Sequence, residues 1–428
     1  GRAVQAAIYR AGVYGRRPVV PTSAAALEAA AEQRMSRRAF AYVAGSAGQE
    51  RTARANLAAF DRWAVVPRML RDVSAPEVST ELFGRRLPAP LVLCPIGVLE
   101  LAHRGADVAV ARAAARLGLP MVQSSQASHS MEDVAAAASG PRWFQLYWSN
   151  HDALAESFVR RAEASGCEAL VVTLDTHTLG WRPRDLDLGY LPFAHGLGIA
   201  QYTADPVFAG LVGERVRSAT PSGGTREKPT PAAVAALLSM ARHHPGSTRA
   251  NLRSPVPRAA VETFLDVFSR PGLTWNDLAW LRERTRLPIV LKGIQHADDA
   301  ARALDAGVDG VWVSNHGGRQ VDGALASLAA LPGVVERVGG RVPVVFDSGV
   351  RSGADALIAL ALGADAVGVG RPWVYGLALA GEAGVTAVLE HLVAELELTL
   401  ALAGCASLAD LDAEAVVPRT PALPPSPR

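Results

Sequence analysis

The feature that most constrains the fold of this 428-residue chain is an alternation of short apolar runs with alanine-rich segments. The apolar runs are rich in Val, Leu and Ile and end at polar or glycine residues, as strands buried on both faces do. The candidate strands cover residues 91–95, 121–125, 143–147, 169–175, 288–293, 310–315, 343–349 and 366–370. Strand then helix, repeated eight times, predicts an α/β fold, a parallel (β/α)8 barrel of the TIM type.

The segments between these strands carry apolar residues at helical spacing. They cover residues 106–117, 131–138, 153–164, 275–285, 297–306, 327–338 and 353–362, and a final helix at roughly 384–403 is predicted to close the barrel. The residues before 91 are predicted to form an N-terminal helical lid. Residues 1–417 are therefore expected to be a single domain, and the proline-rich segment 418–428 a disordered tail.

One connection is much longer than the others. Between the fourth and fifth strands lie residues 176–287, which have a weak pattern and many helix breakers, including 221–224, 243–246 and 255–257. A loop of this length in a compact domain is usually functional. It is interpreted as a lid over the active site, and the alternative is a surface insertion with no part in catalysis.

Composition excludes several classes of partner. The net charge is only +2, which argues against nucleic acid, and no apolar run is long enough to span a bilayer or resembles a signal peptide. Cys94, Cys167 and Cys405 are far apart and form no metal or disulfide pattern. A cytoplasmic protein without a metal site and without a membrane partner is predicted.

The segment 314–320, Ser-Asn-His-Gly-Gly-Arg-Gln, follows the sixth predicted strand. His316 offers a base that titrates near neutrality, and Arg319 offers a cation that can hold a carboxylate through two hydrogen bonds. This pairing suits an enzyme that removes a proton from an acid substrate. The alternative is a polar loop that only caps a strand.

Polar residues also follow the other predicted strands, and active sites of (β/α)8 barrels lie at that face. Segments 347–351 and 368–372 follow strands seven and eight, where this fold commonly binds phosphate through backbone amides. A phosphate site is favoured there over a plain turn.

These motifs together resemble the FMN-dependent family that oxidises 2-hydroxy acids, which includes glycolate oxidase, lactate oxidase, mandelate dehydrogenase and lactate 2-monooxygenase. The resemblance runs from about residue 41 to residue 411 and rests on segments 144–147, 291–293, 314–320, 346–351 and 369–372. Segments 95–98, 174–176, 179–186 and 205–208, with the extended fourth connection, are most similar to lactate 2-monooxygenase.

The resemblance implies FMN as cofactor. Lys292 would lie beside N1 and O2 of the flavin and stabilise the reduced anionic ring. The other residues that it assigns to FMN are Pro95, Ile96 and Gly97 near N5, Ser124, Gln145 and Thr173 at the ring edge, Ser314, and Asp347, Gly349, Arg351, Gly370 and Arg371 at the ribityl and phosphate groups. Gly97, having no side chain, would leave space for oxygen chemistry and a retained product.

The resemblance also implies the catalytic roles. His316 would take the hydroxyl proton of the substrate while its α-hydrogen passes to the flavin as hydride, and Asp175 would stabilise the protonated imidazole. Arg319 and Arg182 would hold the carboxylate, and Tyr42 and Tyr147 would donate hydrogen bonds to the hydroxy acid. Tyr42 could instead be a helix-face aromatic, and Arg182 a salt-bridge residue of the lid.

Two positions depart from the family pattern. Gln126 stands where glycolate oxidase has an aromatic residue, and His177 where lactate 2-monooxygenase has Trp; His177 could line the pocket or lie on the surface. Both put simple lactate specificity in question.

The predicted function is FMN-dependent oxidation of an L-2-hydroxy acid, with reoxidation by O2 and decarboxylation of the product. The alternatives are an oxidase releasing the 2-oxo acid and H2O2, a biosynthetic flavin oxidase acting on a larger acid, and an FMN-binding protein without turnover. A homo-oligomer, a tetramer or larger, is expected from the resemblance.

Overall fold

The computed structural model describes residues 1–218 and 230–419. Eight parallel strands form a closed barrel, in which the first strand pairs with the eighth through Leu91 and Val367. The barrel strands are Leu91–Leu93, Met121–Gln123, Arg142–Leu146, Leu170–Thr173, Ile289–Ile294, Gly310–Val313, Val344–Phe346 and Ala366–Val369. The predicted (β/α)8 fold is confirmed.

Helices surround the barrel, as the alternation predicted. They are Ala106–Leu117, Met131–Ala137, Asp152–Ala164, Ala297–Asp305, Ser327–Val338, Gly353–Ala361 and Arg371–Leu402. The last of these begins at Arg371 and not near residue 384 as predicted. Its backbone departs from helical geometry at Ala380 and Gly381, and an almost uniformly apolar sequence hides the helical period there.

The connection after the fourth strand is largely helical where the structure describes it, although its sequence pattern is weak and rich in helix breakers; its role as a lid stays a prediction. Its helices are Pro183–Leu186, Ala200–Thr203, Pro206–Ser218, Pro231–His243, Thr248–Asn251, Val256–Val267 and Asp277–Arg282. Several of the prolines that were interpreted as breakers begin these helices, where the missing N–H costs nothing and the fixed φ is already helical. The predicted breaker segment 221–224 lies outside the described residues.

The N-terminal region is only partly the helical lid that was predicted. It contains the helices Arg2–Val13, Ala24–Arg34, Arg37–Ala44 and Arg51–Ala58, but also a hairpin of the strands Thr80–Leu82 and Arg85–Leu87. Leu82 and Leu87 join the apolar cluster of the barrel interior. Phe83 packs edge-on against Trp143, near the start of the third barrel strand, with ring centroids 5.3 Å apart. The hairpin therefore seals the end of the barrel opposite the predicted active site.

A further strand, Trp63–Val65, pairs antiparallel with Val416–Pro418. The predicted domain boundary at 417 thus falls inside a strand, and the rest of the predicted tail, 420–428, lies outside the described residues. Within the described ranges, no helix has both the length and the apolar character needed to cross a bilayer.

Replacing Leu82 with Ala tests the hairpin. Leu82 is 2% exposed, and removing a buried leucine side chain costs about 2–5 kcal/mol of unfolding free energy. Urea denaturation followed by tryptophan fluorescence should show this loss, whereas Leu402→Ala, at a position that is 74% exposed, should leave stability nearly unchanged. Equal stability of the two variants would contradict the packing of the hairpin.

Candidate active site

A cavity of about 1030 Å³, including its open mouth, lies at the carboxyl end of the barrel strands. Most of the predicted site residues line it. They are Tyr42, Pro95, Ile96, Gly97, Ser124, Tyr147, Arg182, Lys292, His316, Arg319, Asp347, Gly349, Arg351, Gly370 and Arg371. The barrel therefore brings together residues that are far apart in the sequence, because all of them except Tyr42 lie on or after barrel strands that end at the same face.

The four other predicted residues, Gln145, Thr173, Asp175 and Ser314, are bonded to residues of the cavity wall or to one another. The Ser124 hydroxyl donates to Gln145 Oε1 at 2.7 Å, and Gln145 Nε2 donates to Thr173 Oγ1 at 2.8 Å. All three side chains are buried. The bonds fix the Ser124 side chain in the wall through partners on two neighbouring strands.

Lys292 is the buried cation of the site. Its Nζ lies 2.8 Å from Asp347 Oδ2 and donates to Ser314 Oγ at 2.6 Å. Ser314 in turn donates to Asp347 Oδ1 at 2.6 Å. Burial alone lowers the pKa of Lys292, but the carboxylates of Asp347 and Asp175 more than offset this and raise it above its usual value. Lys292 is therefore charged at neutral pH.

His316 adopts a left-handed backbone conformation with φ of 59° at the start of the loop after the sixth strand. Its Nδ1 lies 2.7 Å from Asp175 Oδ1, and its Nε2 lies 3.4 Å from the Tyr147 hydroxyl. Burial lowers the pKa of His316, and the nearby charge of Lys292 lowers it further, against the opposing effect of Asp175. The imidazole is thus neutral at neutral pH, with Nε2 directed toward Tyr147.

Asp175 and Tyr147 have complementary protonation states. Burial raises the pKa of Asp175, but the hydrogen bond and charge of His316 outweigh it and leave the pKa below its usual value. Burial, together with the Asp175 charge, raises the pKa of Tyr147 to about 12. An ionised Asp175 accepts a hydrogen bond from Nδ1–H of His316, which leaves Nε2 able to accept a proton from a ligand.

Four guanidinium groups line the cavity, those of Arg182, Arg319, Arg351 and Arg371. No carboxylate among the described residues forms an ion pair with any of them. Arg319 Nη1 donates to the Tyr42 and Gly45 carbonyls at 2.7 and 2.6 Å. Burial and the neighbouring cations lower the pKa of Arg371 to about 9, and burial with the Arg319 charge lowers that of Arg182 to about 10. Such a concentration of positive charge without paired carboxylates, in a cavity shielded from water, calls for bound anions.

Sequence reasoning missed the helix Arg51–Ala58, which holds two loops of the site. Asn56 and Asn315 exchange hydrogen bonds between their side-chain amides at 2.8 and 2.7 Å. A Cβ on Gly318 would approach Ala53 N to 2.6 Å, and one on Gly349 would approach Asn56 O to 2.5 Å. Both glycine turns therefore lie directly against this helix, which no local pattern of the sequence indicated.

Other wall residues were also missed. Thr176 Oγ1 lies 3.2 Å from His316 Nδ1, Cys94 lies 3.6 Å from Asp347, and Leu179 and Phe193 form an apolar side. Leu179 and Phe193 belong to the long connection. Phe193 follows no strand, so its position could not be inferred from the barrel pattern.

Two interpretations of single residues need correction. A Cβ on Gly97 would lie 2.9 Å from Gln126 Cβ, so packing against Gln126 is enough to account for the glycine. His177 is exposed and lines a separate cavity with Trp148 and Trp275. It is not part of the carboxylate site.

Comparison with known proteins agrees with this geometry. A family model described as FMN-dependent dehydrogenase matches residues 31–418. The chain belongs to this family. It is 43% identical to an FMN-dependent alpha-hydroxy acid dehydrogenase of Penicillium citrinum over 95% of this chain and 93% of that one. It is 41% identical to an L-lactate oxidase of Lysinibacillus sphaericus over 91% of each.

Solved structures of the family are also similar. A mandelate oxidase with (S)-4-hydroxymandelic acid has a TM-score of 0.76 and 36% identity, covering 93% of this chain and 99% of that one. A lactate oxidase of Pediococcus acidilactici has a TM-score of 0.76 and 31% identity, covering 93% and 95%. The chain is an oxidoreductase that uses FMN and acts on 2-hydroxy acids.

The charged residues that line the cavity fit FMN. Arg351 and Arg371 lack an anionic partner among the described residues, as a site for a phosphate monoester requires. Lys292 supplies a buried positive charge, which would stabilise the negative charge of a reduced flavin ring.

Replacing Arg371 with Gln tests the phosphate site. A hydrogen bond to a charged group contributes about 1.5–3 kcal/mol, so the FMN dissociation constant of the apoprotein should rise about 10- to 100-fold. Quenching of FMN fluorescence during titration measures this. The exposed Arg116 provides the control Arg116→Gln, which should bind FMN as the unmodified protein does. Equal affinities would exclude Arg371 from the cofactor site.

Proposed function

We propose that the protein oxidises an L-2-hydroxy acid to the 2-oxo acid, with His316 as the base and O2 as the final electron acceptor. The observation that carries this proposal is the neutral imidazole of His316, backed by ionised Asp175 and placed in one cavity with unpaired guanidinium groups. A base beside a carboxylate-binding cation is the arrangement that deprotonation of a hydroxy acid requires.

The substrate is held by charge and by hydrogen bonds. Arg182 and Arg319 bind its carboxylate, because both line the cavity and neither has an anionic partner among the described residues. The phenols of Tyr42 and Tyr147 are neutral, since burial raises both pKa values. They donate hydrogen bonds to the oxygens of the hydroxy acid and turn its hydroxyl toward His316.

His316 and Asp175 together carry out the proton transfer. Nε2 takes the hydroxyl proton, and Asp175, hydrogen-bonded to Nδ1, stabilises the imidazolium that results. FMN, when bound, supplies the hydride acceptor for the α-hydrogen and the route for two electrons to O2. Lys292, Ser124, Gln145, Thr173 and the backbone at 95–97 would hold its ring.

Ser314 and Asp347 keep Lys292 in place, while Gly349, Gly370, Arg351 and Arg371 would hold the ribityl phosphate. The predicted homo-oligomer and the predicted cytoplasmic location stay predictions.

The fate of the product separates two versions of this function. In the oxidase version the 2-oxo acid leaves and O2 becomes H2O2. In the version of lactate 2-monooxygenase, lactate and O2 give acetate, CO2 and water. Packing against Gln126 accounts for Gly97 without product retention, and several relatives are lactate oxidases. We therefore favour the oxidase version. A larger acid from a biosynthetic route stays an alternative substrate.

The pH dependence of kcat/KM tests the base. His316 is active when neutral, so kcat/KM should be constant near pH 7 and fall as pH drops through a pKa below the usual value of about 6.5. His316→Gln should lower kcat/KM about 10²- to 10⁴-fold. Asp175→Asn removes a charge that raises the His316 pKa, so its acid limb should move to lower pH.

The exposed Asp187 offers the matched control Asp187→Asn, which should leave the profile in place. An acid limb that moves to higher pH in Asp175→Asn would exclude His316 as the titrating base.

Anaerobic addition of L-lactate to the FMN-loaded protein tests the function itself. Bleaching of the flavin absorbance is expected. In air, pyruvate and H2O2 in equal amounts would support the oxidase version, whereas acetate and CO2 without H2O2 would establish the monooxygenase version. A flavin that none of a series of 2-hydroxy acids bleaches would contradict the proposal.

A further inference from the structure

The side chain of Gln126 is a buried amide of the active-site wall for which the described residues provide no hydrogen-bond partner. Gln126 is 9% exposed and lines the cavity. Its main chain is fully bonded, since its N–H donates to Ser124 Oγ at 3.1 Å and its carbonyl accepts from Val98 N at 2.8 Å. Its neighbours Ser124 and Tyr147 both have partners for their hydroxyl groups.

The position of Gln126 is fixed from two sides. Gly97 lies against its Cβ, and a Cβ on Gly198, which belongs to the long connection, would come within 3.0 Å of the Gln126 carbonyl oxygen. The same hypothetical Cβ would lie 3.2 Å from Phe193 Cε1. The residue is thus held between the first barrel loop and the connection, and Phe193 lies beside it.

The surroundings of the Gln126 amide combine apolar and charged groups, and this combination restricts which ligands bind well. Ile96, Leu179 and Phe193 give the cavity apolar surface, and the guanidinium groups that bind the carboxylate are already assigned. A substrate side chain ending in a methyl group would cover the amide and leave it unsatisfied, at a cost of about 1–3 kcal/mol. A side chain carrying a hydroxyl or carboxamide would satisfy it.

We infer that Gln126 is a specificity residue for a neutral hydrogen-bonding group on the side chain of the substrate. The inference rests on the proposed function and narrows it. The preferred substrates are 2-hydroxy acids whose side chain ends in a hydroxyl or a carboxamide. Lactate, whose methyl side chain offers no such group, still reduces the flavin, but with a lower kcat/KM than these acids.

Two pairs of matched acids test this on the FMN-loaded protein. (S)-2,4-Dihydroxybutanoate and (S)-2-hydroxypentanoate differ in a terminal hydroxyl against a methyl group. (S)-Malamate and (S)-2-hydroxy-4-methylpentanoate differ in a carboxamide against an isopropyl group. Within each pair, kcat/KM for flavin reduction should favour the polar acid by about 10-fold or more. A ratio near one or below one in both pairs would overturn the inference.

Gln126→Met keeps the length of the side chain and removes its amide. Its ratio within each pair should fall at least about 10-fold, toward or past one. The ratio is measured on one preparation, so the fraction of folded enzyme cancels. Gln5→Met, on the exposed face of the first helix, is the control and should keep the original ratio. An unchanged ratio in Gln126→Met would overturn the inference.

Other results would distinguish failure of the role of Gln126 from failure of the proposed function. If Gln126 served the cofactor instead, Gln126→Met would weaken FMN binding and lower kcat/KM equally for both acids of each pair, which would also overturn the inference. If no acid reduced the flavin in the unmodified protein, the proposed function would fail. If both acids of a pair reduced it equally well, the function would stand and only the role of Gln126 would fail.

Discussion

The ion pair between Lys292 and Asp347 is the interaction on which the site depends. Both side chains are almost fully buried, and removing two charges from water is costly unless further hydrogen bonds satisfy them. Ser314 supplies those bonds and thereby links the ends of the fifth, sixth and seventh strands. The same hydroxyl accepts from His316 N at 3.0 Å. The catalytic loop therefore begins at a point that the ion pair has already fixed.

The sequence could predict the barrel and most of the site because both follow from one regularity. Each strand is apolar until its last residues, so polar residues at 292, 314 or 347 had to lie at the carboxyl face. What failed lies outside this regularity. Proline was interpreted as a breaker at 255–257, although Pro257 lies in the first turn of the helix Val256–Val267. Phe193 enters the wall from the connection, and a strand pattern contains no information about such a residue.

Asn56 and Gly97 show a second reason for failure. Each owes its identity to a residue distant in sequence but close in space: Asn315 for Asn56, and Gln126 for Gly97. From the sequence, Gly97 was interpreted as leaving space for the reaction, because its neighbour Gln126 was not known. The net charge of the chain likewise gave no indication of the charge distribution at the site. A total of +2 conceals four guanidinium groups and one ammonium group concentrated around a single cavity.

Arg371 has a consequence for how the chain is made. It follows the eighth strand, yet its guanidinium donates to the Val43 and Gly45 carbonyls and to Ser46 Oγ at 3.2, 3.0 and 2.8 Å. During translation, the segment carrying Tyr42 leaves the ribosome long before these donors exist. Contacts of such long range form late. The first part of the site to be synthesised is thus among the last to become ordered. The nascent chain cannot hold a substrate until the eighth barrel strand and Arg371 have been synthesised.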